Sequence, residues 1–200
     1  MINRIATFGI AGILGVGVGV YSALAMSGLL PGDRRIGDGI EINGWVGDLR
    51  QGSVDASPYL RARIARHGLL AMAKSEAIYF IRSRDGAGEH LTENCDYKIS
   101  GGALPAGWWS ITLYNSENFL PDNRDEALSF NSNQSSGDAW TAIISPTQPD
   151  DGAHWISSRN AGKFDLTLRL YMPEPDTLAR PEQLIAAPNV ERLTCKEQGS

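Results

Sequence analysis

Histidine and cysteine are scarce in this chain, with three of the first and two of the second among 200 residues. Metal centres built from such ligands need clusters of them, and no CxxC or Cys/His spacing of zinc type is present. The Gly-x-Ser-x-Gly elbow, the phosphate loop and the dinucleotide fingerprint are missing too. No cofactor or metal is expected, and no cluster specifies a reaction. Positive charge is also short: the net charge is −5 and the pI about 5.2. An acidic surface repels phosphate backbones, which argues against a nucleic-acid partner. With 42% hydrophobic and 20% charged residues the chain is too apolar for disorder, and its length suits one soluble domain.

Charge of either sign is absent from the stretch bounded by Ile5 and Leu30. As a helix it would reach about 39 Å at roughly 1.5 Å per residue, enough to cross a hydrocarbon core of about 30 Å with some tilt. The sequence admits three readings. The first is a transmembrane anchor, with Asn3 and Arg4 at one end and Pro31, Gly32, Asp33, Arg34 and Arg35 at the other. The second is a secretory signal cleaved after Ala25, because Ala23-Leu24-Ala25 fits the small-x-small pattern. The third, a buried core helix, suffers from Gly9, Gly12, Gly15, Gly17, Gly19 and Gly28, each costing about 1 kcal/mol relative to Ala in a soluble helix interior. Gly15 and Gly19 have small-xxx-small spacing, which chance explains in a segment so rich in glycine. The flanking charges favour the domain inside, although long domains translocate largely regardless of them.

The two cysteines supply independent evidence of side. Cys95 and Cys195 lie 100 residues apart, and an even pair in an exported domain reads as a disulfide. Two unrelated thiols is the competing interpretation.

Ser57 and Pro58 open a helical pattern in which Leu60, Ile64, His67 and Leu70 recur at three- and four-residue spacing, with Gly68 as its stop. Before it, Ile40 to Val46 alternates as one strand. After it, Ala77 to Ile81 is a short apolar run that leads into the turn Asp85-Gly86-Ala87-Gly88. Strand-like runs follow at Cys95 to Ile99, Trp108 to Tyr114, Leu128 to Phe130, Trp140 to Ile144 and Phe164 to Tyr171, separated by turn residues. This spacing points to an antiparallel sandwich or barrel. The clearest strand runs from Phe164, with Leu166, Leu168 and Leu170 on one face and Asp165, Thr167, Arg169 and Tyr171 on the other.

Three stretches together resemble the family known as domain of unknown function 1214. They are Leu69-Leu70-Ala71 with Ser75-Glu76-Ala77-Ile78-Tyr79-Phe80, then Leu104-Pro105-Ala106 with Trp108-Trp109-Ser110-Ile111-Thr112-Leu113-Tyr114, and Phe164 with Leu168-Arg169-Leu170-Tyr171-Met172-Pro173. The resemblance covers most of residues 40–195. It implies a mainly β fold, a jelly-roll-like antiparallel β-sandwich with one short helix after the N-terminal transmembrane helix, in an exported or envelope-anchored bacterial protein. It brings no established activity and no catalytic residues. The family's Asn-Trp-Leu-Pro stretch is His154-Trp155-Ile156-Ser157 here, and the usual partner, domain of unknown function 1254, is not seen. The expected layout is an anchor or uncleaved signal over residues 1–32, a connector and first strand over 33–56, and the sandwich over 57–200. Together with the cysteines it places that sandwich on the periplasmic side of the inner membrane.

Candidate sites are few. A charge on a sandwich's inner face needs a partner, which nominates Glu76 with Arg169 as a cleft pair or structural pair. Trp108, Trp109, Trp155 and Tyr114 form a candidate aromatic surface for a protein or glycan, with Trp140 and Tyr171 as further aromatics. Adjacent Trp108 and Trp109 must point to opposite faces, so one of them belongs to the core. Asp122, Asn123, Asp125, Asp150, Asp151 and Asp165 are oxygen ligands without the positions of a calcium loop, and solvated turns explain them better. His67, His90 and His154 have nothing linking them. The expectation is a non-catalytic envelope protein. The alternative is a carbohydrate-active enzyme using paired carboxylates such as Glu76 with a loop aspartate.

Overall fold

The computed structural model describes residues 2–30, 39–66, 72–135 and 139–196. Helix α1 (Ile2–Met26) contains a window, Ala6–Met26, with mean hydropathy 1.8 and nothing buried against the rest of the chain. Its end is built by Gly28. A positive φ of 71° lets the chain turn back, so that the Leu29 N–H donates to the Leu24 carbonyl (2.9 Å) and the Gly28 N–H to that of Ala25 (3.2 Å). Glycine reaches this conformation without a Cβ penalty, and the two bonds satisfy carbonyls that a helix end otherwise leaves open. Pro31, Gly32, Asp33, Arg34 and Arg35, and likewise Gly68, Leu69, Leu70 and Ala71, lie outside the described residues.

The rest is mainly β. One sheet has six strands in the order β1 (Ile40–Ile42), β2 (Trp45–Gly47), β3 (Ala77–Arg82), β9 (Phe164–Pro173), β5 (Ala106–Asn115) and β6 (Ser129–Asn131), all antiparallel. The other has β10 (Asn189–Cys195), β4 (Cys95–Gly102), β7 (Ala139–Ser145) and β8 (Trp155–Ser157). Here one expectation needs correction: β8 pairs parallel to β7, because the chain crosses over through residues 146–154 before β8 forms. The single strand read from Ile40 to Val46 is also two strands. Asn43 (φ 49°) and Gly44 (φ 76°) make a two-residue turn, and positive φ at both central positions is what an Asn-Gly hairpin provides.

Alternation in β9 decides which faces meet. Phe164, Leu166, Leu168 and Leu170 join Ile78, Phe80, Trp109, Ile111 and Leu113 of the same sheet, opposite Tyr97, Ile99, Ala142, Ile144, Ile156 and Val190 of the other, in one core between the sheets. A second, smaller cluster lies outside the six-stranded sheet. Helix α2 (Pro58–Arg66) lays Leu60 and Ile64 on Ala77, Tyr79 and Ile81. The Ser57 hydroxyl accepts the Leu60 N–H (3.2 Å), the cap anticipated from Ser57-Pro58. Beyond β9 there are two more short helices rather than none, α3 (Pro175–Ala179) and α4 (Pro181–Leu184). Each begins with proline, whose fixed φ and missing N–H suit the first helical position as well as they end a strand.

At Gly47, opposite Phe80 in the register, β2 leaves no room for a side chain against β3. A Cβ there would sit 2.5 Å from the Tyr79 carbonyl oxygen and 2.7 Å from the ring of buried Phe80. Gly47→Ala is therefore expected to cost about 1–3 kcal/mol, as overpacking does. A urea midpoint equal to that of the unsubstituted chain would show that β2 can shift aside.

Candidate functional site

The outward face of β9 and β5 is polar and aromatic where α2 does not cover it. Strand register sets its rows: Tyr79, Arg169, Ser110 and Asn131 lie across one another, as do Ala77, Tyr171 and Trp108, and Asp165 lies across from Tyr114. Arg169 is half-buried at the centre. Its Nη2 donates to the Tyr114 hydroxyl (2.7 Å), its Nη1 to Thr112 Oγ1 (3.1 Å), and its guanidinium lies 5.3 Å from the centre of the Tyr114 ring. Among the described residues no carboxylate forms an ion pair with it. A guanidinium carries five donors, so partnership with two neutral hydroxyls leaves capacity for an anion. One row away the Trp108 and Tyr171 rings lie 5.3 Å apart at 55°. Burial pushes the Tyr79 phenol above its ordinary range, Tyr171 adds to this, and the Arg169 charge opposes it.

The residues nominated from sequence are dispersed. Arg169 is on the outer face, away from the core, and does not pair with Glu76. Glu76 is exposed and accepts the Ala73 N–H (3.2 Å) through its carboxylate. Trp108 and Tyr114 share the outer face with Arg169. Trp109 lies in the core, stacked on Trp140 at 4.8 Å and tilted against Phe130. Trp155 belongs to the other sheet, where its indole N–H donates to the Ser145 carbonyl (2.9 Å). Cys95 and Cys195 are joined in a disulfide that ties β4 to β10 as direct register partners.

The oxygen-rich loops are occupied with structure. Asp125 accepts the Ser157 hydroxyl (2.6 Å) and pairs with Arg159 (3.1 Å), the Asp122 carbonyl accepts from Asn160, and Asn123 donates to the Arg159 carbonyl. Asp151 accepts the Ala153 N–H, Asp150 is exposed, and Asp165 is buried in β9. Among the described residues no three His, Cys, Asp or Glu side chains are grouped to hold a metal. His90 contacts Arg84, the His154 ring lies 5.1 Å from that of Phe130, and His67 lies outside the described residues.

Sequence reasoning missed one fully buried carboxylate. Asp85 has no exposed side-chain surface; its Oδ1 accepts the N–H groups of Ala87 (2.9 Å) and Glu89 (3.0 Å), and its Oδ2 accepts Arg192 Nε (2.6 Å). Burial alone would raise this carboxyl. The Glu89 N–H, the Arg192 guanidinium and the Ala87 N–H outweigh burial and hold it below the ordinary carboxylate range. The Asp-Gly turn was visible in the sequence, but its ion-pair partner, 107 residues away, was not.

Two sheets closed around one core, behind an apolar N-terminal helix, define a β-rich domain whose last strand is fixed by a disulfide. No curated protein matches it by sequence. The chain belongs to the family described as "Protein of unknown function (DUF1214)", whose profile matches residues 76–175. Among solved structures it is similar to the VPA0106 protein from Vibrio parahaemolyticus, with a TM-score of 0.59 and 18% identity over 90% of this chain. The match spans 44% of that protein, and at such identity it speaks for the fold alone. An uncharacterised protein from Burkholderia cenocepacia aligns over 59% of this chain and 30% of its own, with 15% identity and a TM-score of 0.44.

Proposed function

We propose that the chain is a single-span envelope protein whose jelly-roll-like domain stands on the periplasmic side of the cytoplasmic membrane and binds an acidic glycan without catalysis. The apolar length of α1 and the disulfide support the location, since disulfides persist in oxidising compartments. One observation carries the binding role: a half-buried arginine held by neutral hydroxyls beside the Trp108 and Tyr171 rings. Sugar rings stack on aromatic faces, and a uronate carboxylate matches the guanidinium fork.

The test is calorimetric titration of the oxidised full chain in detergent with oligogalacturonate and with its methyl ester. The acid is expected to bind and the ester not. Arg169→Gln, which keeps hydrogen bonding without charge, is expected to weaken binding about tenfold or more, since a hydrogen bond to a charged group contributes about 1.5–3 kcal/mol. Equal binding of acid and ester, or undiminished binding by the variant, would defeat the assignment. Failure of both polymers to bind, with a protein crosslinked through the Trp108 face instead, would replace the glycan by a protein partner.

A further inference from the structure

We infer that α2 is a membrane-surface helix, tied by Arg63 to the end of α1, whose exposed Tyr59 and Arg66 sit on the headgroups of anionic phospholipid. The inference rests on the reading of α1 as a membrane span. Its origin is the place where α1 ends. Arg63, only 5% exposed, reaches across from α2 and donates through Nε to the Met26 carbonyl (2.8 Å) and through Nη2 to that of Ala25 (3.1 Å). A cation at a helix C-terminus meets the negative end of the helix dipole, and here it also occupies two carbonyls of the last turn. The apolar window of α1 finishes at Met26. A group bonded to the Met26 carbonyl is therefore at the edge of the hydrocarbon, and it brings α2 to headgroup level.

The composition of α2 fits that level. Its nine residues include Arg61, Arg63 and Arg66 and no acid. Tyr59 lies four residues before Arg63 and Arg66 three after it, so all three share one stripe of the helix. Leu60 and Ile64 face the sheet instead. In the loop that leads into α2, Val54 is 89% exposed, and Arg61 fixes this loop by donating to the Val54 and Ala56 carbonyls (3.0 Å each). Leu29, just past the end of α1, is also exposed. Tyrosine, arginine and isolated apolar side chains are what the membrane interface selects, and anionic headgroups attract each nearby cation.

The experiment places a nitroxide at Val54→Cys, and separately at the exposed Thr141→Cys of β7, in the oxidised full chain. Each is reconstituted in vesicles of phosphatidylcholine alone and of phosphatidylcholine with phosphatidylglycerol. In the anionic vesicles the Val54 label is expected to lose most of its accessibility to an aqueous nickel complex and to gain accessibility to oxygen, while the Thr141 label stays aqueous. Arg66→Glu is expected to return the Val54 label toward water. A Val54 label as aqueous as the Thr141 label, or equally shielded in both vesicle types, overturns the inference while carbonate-resistant association leaves the span intact. Release of the chain by carbonate overturns the span, and this inference with it.

Discussion

Asp85→Ala is expected to lower the unfolding free energy by about 3–5 kcal/mol, the cost of removing one partner from a buried ion pair. The carboxylate joins two distant parts of the chain. Its Oδ1 closes the turn after β3 through Ala87 and Glu89, and its Oδ2 holds Arg192 at the middle of β10. Arg82, 3% exposed, adds a second cation nearby; it donates to the carbonyls of Arg84 and Asn43, and the Asp85 charge is what favours its protonated form against burial. Truncation leaves both guanidiniums without their anion, whereas Asp85→Asn keeps the shape and forfeits only the charge, so it should cost less. The pH dependence has a fixed sign. A carboxyl whose native pKa lies below its unfolded value of about 3.9 contributes stability that is complete above that value. The contribution disappears as pH falls through the lower native value. Urea melts of the full chain in detergent, followed by tryptophan fluorescence, should show the gap between native chain and Asp85→Asn closing in acid. A loss for Asp85→Ala of under about 1 kcal/mol, the size of an ordinary substitution, would mean that the cluster is solvated in the native state.

The contrast between Asp85 and Arg169 shows where local sequence stops being informative. Strand β9 could be read because Phe164, Leu166, Leu168 and Leu170 alternate with polar residues over its length. That alternation places Arg169 opposite the leucines, on the outer face. The arginine's neighbours follow from the pairing of β9 with β3 and β5, which brings Tyr79 and Ser110 beside it and Tyr114 within reach, and leaves Glu76 out. Register between strands so far apart in the chain is set by core packing, not by any short motif. Strand β10 was missed for a related reason. It is an edge strand with a register shift between Arg192 and Thr194, and only Val190 is fully buried, so it shows no two-residue hydrophobic period. The Asn43-Gly44 turn was legible in principle, since Asn-Gly between apolar runs is a strong hairpin signal, but the alternation around it reads as one continuous strand. The aromatic face was partly legible: the opposition of Trp108 and Trp109 follows from the strand period alone, while the separation of Trp155 onto the other sheet depends on the crossover before β8.

Replacing both cysteines, Cys95→Ser with Cys195→Ser, should cost about 2–5 kcal/mol, with the chain-entropy value for a 100-residue loop, about 4.7 kcal/mol, near the upper end. The bond acts on the unfolded chain more than on the native contacts. Strand β10 is already held by its ladder to β4, by Val190 in the core and by Arg192 on Asp85. The Trp45 indole N–H further donates to the Pro188 carbonyl (2.7 Å), just before the strand begins. Opening the bridge should therefore leave residues 189–192 in place and release only the exposed end beyond the bulge. Hydrogen exchange separates the two consequences. At Val190 protection should fall by the global loss of stability, whereas at Cys195 it should fall to that of a frayed end. The site is open to a reductant, since the bridge borders a cleft lined by Glu93, Asn94, Lys163 and Lys196 and Cys195 is exposed. Reduction of the native chain should reproduce the double serine variant in urea. If protection at Val190 instead collapses while the rest of the core keeps its own, β10 depends on the bridge in the native state, and the stabilisation is local.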